Sequence, residues 1–190
     1  MNTARRRARA LRVPRSVSAL AGALAIGLVL GAAAPDALAD DRATVIQLRA
    51  ERLANAGECA EAIALLDGAP EPAKSSAAHL RLRGQCEIEL RRFDAAARSL
   101  RAAKAADPAS PDVDLMLGIA LYHADDLAGA QAALDAAQGT TTREAELELY
   151  RGLVLLRNAK TREAALALER ARRADPDRVE PVASYYAALA

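Results

Sequence analysis

The 190-residue chain contains no tryptophan, one phenylalanine and four tyrosines. Rings as sparse as Phe93, Tyr122, Tyr150, Tyr185 and Tyr186 exclude a base-stacking platform for single-stranded nucleic acid. Histidine is almost as scarce, and His79 and His123 stand far apart in the sequence. There is no Cys-x-x-Cys pair, no glycine-rich phosphate loop, no nucleophile elbow and no cluster with metal-ligand spacing. The sequence therefore reads as a non-enzyme, with no cofactor and no metal. Its acids recur three or four residues from arginine, as in Glu148 with Arg151 and Glu169 with Arg172 and Arg173. That pattern is expected of solvated helix faces.

A long hydrophobic run is also missing. The uncharged stretch from Leu20 to Ala34 falls short of the roughly 20 residues that cross a bilayer. Ahead of it stand Arg5, Arg6, Arg7, Arg9, Arg12 and Arg15, and behind it the small-residue pattern Ala37-Leu38-Ala39. Basic, apolar and small-residue segments in that order read as a signal peptide over 1–39, cleaved before Asp40. The alternative is an uncleaved membrane anchor. Cleavage removes six arginines and Asp36, leaving 20 basic against 24 acidic residues and a net charge of −4. A mildly acidic chain lacks the basic stripe of a nucleic-acid binder.

What the sequence does have is a period. Glycine falls at Gly84, Gly118 and Gly152, and alanine at Ala96, Ala130 and Ala164. Leu100, Leu134 and Leu168 follow, then Ala103, Ala137 and Ala171, each ladder with a spacing of 34 residues. Asp107-Pro108 and Asp175-Pro176 close two of the three units. Extended backwards, the frame gives a more divergent first unit with Ala50, Ala62, Leu66 and Ala69 in the same places.

This resembles the tetratricopeptide repeat, whose unit is a pair of antiparallel helices with a period of 34. The resemblance implies an all-α, right-handed helical-hairpin solenoid of four units, 43–76, 77–110, 111–144 and 145–178. Residues 179–190 follow, and Val182, Tyr185, Tyr186 and Leu189 recur there at helical spacing, as in a C-terminal capping helix. The glycine or alanine belongs where the two helices of a unit cross, and the leucine in the core. Proline ends the second helix because it cannot continue one. Ser110 with Pro111, and Thr140-Thr141-Thr142, are candidate helix starts, and Gly57 parts the first helix pair. Asp114, Glu148 and Glu87 depart from the family pattern, standing where large apolar or aromatic residues are usual.

In the same frame Cys59 opens the second helix of the first unit, and Cys86 lies late in the first helix of the second. On facing antiparallel helices the two come level, which points to a disulfide in an exported chain. The other reading is a pair of buried thiols acting as small apolar residues.

In this family the first helices line a concave groove. The corresponding trios are Gln47, Glu51 and Ala54; Arg81, Gln85 and Ile88; Leu115, Ile119 and Tyr122; and Leu149, Leu153 and Leu156. The groove is thus polar in its first half and apolar in its second. The family's two-carboxylate clamp needs several basic residues here, and only Arg81 is present. Three occupants are open: an apolar helix or peptide of a partner, a second copy of the chain, or residues 179–190. The expected function is a non-catalytic protein–protein interaction scaffold of the cell envelope, periplasmic or secreted, whose partner is another envelope protein or peptide. The alternative is a homo-oligomerisation module, forming a homodimer through the same leucines. Neither involves nucleic acid, and a membrane enters only if the signal segment is uncleaved.

The intact mass of the exported protein should correspond to a chain starting at Asp40; a mass retaining residues 1–39 would establish the anchored form.

Overall fold

The computed structural model describes residues 35–177, and all regular structure among them is helical. The expected capping helix over 179–190 and most of the expected signal peptide lie outside these residues. Eight α-helices follow one another: α1 (Pro35–Asn55), α2 (Cys59–Asp67), α3 (Ala77–Glu89) and α4 (Phe93–Ala106), then α5 (Val113–His123), α6 (Leu127–Ala137), α7 (Glu144–Arg157) and α8 (Thr161–Ala174). A single 3₁₀ turn, Ala73–Ser75, lies in the linker between α2 and α3. Helix α1 runs without a break past Asp40, so the expected cleavage point falls inside it. Each odd-numbered helix packs on the even one that follows, and each even helix on the next odd one. The result is four stacked hairpins in the frame of the sequence period.

The ladders explain why. Leu66, Leu100, Leu134 and Leu168 are all essentially inaccessible to solvent, at no more than 1% exposure. Ala62, Ala96, Ala130 and Ala164 are fully buried beside them. A Cβ placed on Gly84, Gly118 or Gly152 would stand 2.6 to 2.7 Å from the Cγ of Leu100, Leu134 or Leu168, respectively. Carbon atoms do not approach that closely, so in these three units the glycine lets the leucine of the second helix seat where it does against the first. The divergent first unit manages with Ala50 at the equivalent place, itself fully buried.

A further ladder is visible only in the backbone. Gly57, Arg91, Asp125 and Ala159 all have positive φ, at 81°, 58°, 67° and 57°. They share the 34-residue spacing and sit in the turn inside each hairpin. Their amides bond the carbonyls of Ala54, Ile88, Tyr122 and Leu156. The next amides, of Glu58, Arg92, Asp126 and Lys160, reach back to Leu53, Glu87, Leu121 and Leu155. These paired bonds close the first helix of every unit with a left-handed residue. Only the first unit uses glycine, which is why the ladder is silent in the sequence.

The helix starts differ from expectation in two places. Pro111 lies outside the helix, and α5 begins at Val113 after Asp112, whose φ is 61°. The Asp112 carboxylate instead accepts from the Thr141 hydroxyl and, at 3.3 Å, from the Thr142 amide. Thr141 in turn accepts from the Arg143 amide at 3.1 Å, immediately before α7. The threonine run therefore bridges the two linkers that flank the third hairpin and does not cap α7, whose N-cap is Arg143 without a side-chain cap bond.

Charges at apolar places are answered by charges. Glu87 is buried and accepts from Arg83 Nε at 3.1 Å and Ser99 Oγ at 2.7 Å. Glu148, also buried rather than on a solvated face, accepts from Arg151 at 3.1 Å and from Arg170 Nε at 2.8 Å. Asp114 pairs with Lys104 from the preceding unit. A buried carboxylate costs free energy unless paired in this way. Only the exposed pairing of Glu169 with Arg172 and Arg173 matches a solvated face, and the two guanidiniums lower that carboxyl to about 2.

Two substitutions test the opposite uses of glycine. Ala159→Gly relieves a left-handed alanine and should stabilise the fold by about 0.5–1 kcal/mol. Gly118→Val drives carbon into Leu134 and should destabilise it by about 1–3 kcal/mol. Urea unfolding of both reads the two signs; equal signs would refute this account of the ladders.

Candidate partner-binding groove

The first helices α3, α5 and α7 border one cleft of about 460 Å³, lined by Arg81, Gln85, Ile88, Glu89, Asp112, Met116, Ile119, Arg143 and Glu146. Charges within it are partly satisfied internally. Arg143 pairs with Glu146, and Glu89 accepts from the Cys59 thiol at 3.1 Å. On the first helix of the chain Gln47 donates to Glu51 at 2.9 Å. The polar half of the groove is therefore pre-ordered by its own side chains.

The six apolar residues expected to line the groove divide into two groups. Leu115, Ile119 and Leu153 are buried, at 0%, 4% and 8% exposure. Tyr122, Leu149 and Leu156 are half-buried. The division follows from stacking. Leu115 and Leu149 share a repeat position, and Leu115 belongs to the central core cluster. Leu149 and Leu156 instead flank Leu168 and Ala171 of α8 in the last described hairpin. Leu149 also borders a second cleft of about 510 Å³ with Thr142, Tyr150, Ala174 and Asp175. The six residues thus form no single open surface; half of them serve the core.

Beside Tyr122 lies a feature the sequence did not reveal. Phe93 and His123 stack with ring centroids 4.7 Å apart and planes inclined by 17°. Tyr122 meets His123 and Tyr150 edge-on, at 5.2 and 5.7 Å. His123 Nε2 and the Tyr150 hydroxyl are 3.2 Å apart, within hydrogen-bond reach. Arg157, paired with Asp125, lies 5.9 Å over the Tyr122 ring. All three aromatic residues among the described ones are therefore gathered with His123 at one place. Phe93 starts α4, and His123 ends α5 in the next unit; a second helix starts at the end of the stack where a first helix finishes. The four rings occupy different repeat positions, so no single ladder announces them. Edge-to-face contacts of this kind stabilise by about 0.5–1.5 kcal/mol each beyond area burial.

Burial lowers His123 from the ordinary histidine value of 6.5, and nearby Arg91 adds to the effect. Burial raises Tyr150, and Glu146 reinforces it. Both groups are thus held neutral around pH 7. His79 is far from this cluster, buried in the first turn of α3, and the two histidines do not converge. Among the described residues no three His, Cys, Asp or Glu side chains meet as metal ligands.

The cysteines lie where the level-helix reading places them. Cys59 and Cys86 are both buried in one core cluster, as free thiols close enough to influence each other's titration.

No protein-family model and no curated protein matches the chain. Solved structures of MamA do resemble it. A crystal structure of MamA aligns with a TM-score of 0.67 at 20% identity, over 79% of this chain and 81% of that one. MamA from Desulfovibrio magneticus RS-1, residue 41 to the end, gives 0.65 at 18% identity, over 74% and 79%. The form described as MamA MSR-1 C2 gives 0.63 at 17%, over 76% and 84%. At such identities the likeness speaks for the fold, an all-α, tetratricopeptide-like solenoid.

His123 already meets solvent at its edge, and removing the stacked ring should open its covered face as well. In Phe93→Ala its titration, followed by NMR, should move up toward 6.5, because the dominant shift comes from burial. An unchanged midpoint would show that Phe93 does not desolvate the imidazole.

Proposed function

We propose that this protein is a non-catalytic protein–protein interaction scaffold of the cell envelope. It is exported, cleaved before Asp40 and periplasmic or secreted. Its third and fourth units hold an apolar helix or peptide of another envelope protein. The observation that carries this reading is the half-buried set Tyr122, Leu149 and Leu156 on α5 and α7, continued by the ring cluster. Tyrosine and arginine beside aliphatic surface are the residue types that dominate binding at protein interfaces. Burying that surface would supply affinity at about 25 cal/mol per Å². Arg157 and Glu89 at the rim would orient the partner. We read Cys59 and Cys86 as able to pair in a disulfide that staples the divergent first unit to the second.

Homo-oligomerisation is the second reading. It is favoured by Val45, Leu48 and Leu166, which are more than half exposed on the first and last described hairpins. Apolar side chains of that size at the ends of a stack are a natural contact between copies.

One experiment separates the readings. Mature 40–190 is crosslinked in its native envelope and recovered beside the variant Tyr122→Ala/Leu156→Ser, with folding checked by circular dichroism. The expected result is a heterologous protein captured by the first and lost, by about tenfold or more, with the second. Capture of the chain alone, together with a dimer of the pure protein in light scattering, would replace the scaffold reading with self-association.

A further inference from the structure

Cys59 and Cys86 form a buried thiol pair whose chemistry the groove reading leaves unused, and Glu89 joins it to the surface. Cys59 is 2% exposed at the first position of α2, and Cys86 is fully buried in α3. Both belong to one packed cluster with Ala50, Ala62, Ile63, Leu66 and Leu82. Glu89, the last residue of α3, is exposed to solvent and borders the 460 Å³ cleft. Its carboxylate reaches back to accept the Cys59 thiol hydrogen at 3.1 Å. One acid therefore faces both a core thiol and the groove.

We propose that Cys59 and Cys86 are a reversible redox site, and that Glu89 sets its balance toward the dithiol. The inference rests on the reading that these two cysteines pair. The S–H donor to Glu89 exists only in the reduced protein. Oxidation removes that hydrogen, so the whole of a charge-assisted bond counts toward the dithiol. The exchange balances with a small-molecule or protein disulfide as oxidant: both thiols give up their hydrogens, the Sγ–Sγ bond forms, and the oxidant leaves as two thiols. Burial and Glu89 both raise the Cys59 thiol, so little thiolate is present in the closed fold. Attack on the oxidant accordingly proceeds through opening of the first unit. Once the disulfide has formed, Glu89 is released from α2, and the cleft bordered by Arg81 and Gln85 presents a carboxylate no longer tied to the core. The staple and the groove thus share one residue.

The test refolds the full-length protein in buffers of graded reduced-to-oxidised glutathione ratio, then alkylates it and reads intact mass and the Cys59–Cys86 peptide link. Refolding in the buffer brings the buried sulfurs to equilibrium. In Glu89→Ala the disulfide should form at a ratio about tenfold more reducing than in the unsubstituted protein, the loss expected for one hydrogen bond to a charged group. Glu89→Gln, which keeps a neutral acceptor, should fall between. Glu89 is exposed at a helix end, and circular dichroism of each variant confirms the fold. A link that forms at the same ratio in all three proteins, within about twofold, overturns the role of Glu89 while leaving the pairing intact. Absence of the link at every ratio overturns the pairing itself.

Discussion

The structure depends on one close approach repeated along the stack: a glycine of the first helix against a leucine of the second. Gly84 takes Leu100, Gly118 takes Leu134, and Gly152 takes Leu168. The arrangement forgoes helix propensity at the glycine, by about 1 kcal/mol relative to alanine. In return the leucine loses nearly all its accessible surface, which stabilises by roughly 1.5–3 kcal/mol. The second term is larger, and it also fixes the register of the hairpin, because only one leucine can enter the gap. Everything that distinguishes one unit from another is built around this constant.

Variation is then confined to places where a local substitute exists. Positions usually apolar carry Glu87, Asp114 and Glu148, and each meets a cation: Arg83, Lys104, or the pair Arg151 and Arg170. The first unit replaces glycine with Ala50. The turn within each hairpin keeps its left-handed geometry while its residue changes from Gly57 to Arg91, Asp125 and Ala159. The backbone requirement is constant, and the side chain is free because it points to solvent. A carboxylate in the core has no such freedom, which is why its partners are strict.

This difference explains what could be read from the residues alone. Helix pairing, the core leucines and the level placement of Cys59 and Cys86 all follow from a period counted along the chain. Exposure does not, because it depends on whether another unit lies alongside. Leu115 and Leu149 hold the same repeat position, yet one is fully buried and the other half-buried. A trio read as groove therefore serves the core wherever a neighbouring first helix packs against it. The ring cluster was hidden for the converse reason. Phe93, Tyr122, His123 and Tyr150 come from three helices and different repeat positions, and stacking alone brings them together.

A repeat stack consequently places its specific chemistry where the period is broken. The core positions must satisfy the same leucine in every unit, so they carry little information about a partner. The ring cluster occurs once, at the boundary of the second, third and fourth units, and it combines rings, a neutral imidazole and a guanidinium. The thiol pair also occurs once, between the first and second units, and it reaches the cleft only through Glu89. Glu89 ends α3 and His123 ends α5 at the same repeat position, so the two non-repeating features meet neighbouring first helices at like ends, and Glu89 also borders the polar cleft. On the proposed scaffold reading, a partner laid across those helix ends would meet both. Its affinity would then come from the rings, where apolar surface is available, and its sensitivity to conditions from the one shared carboxylate.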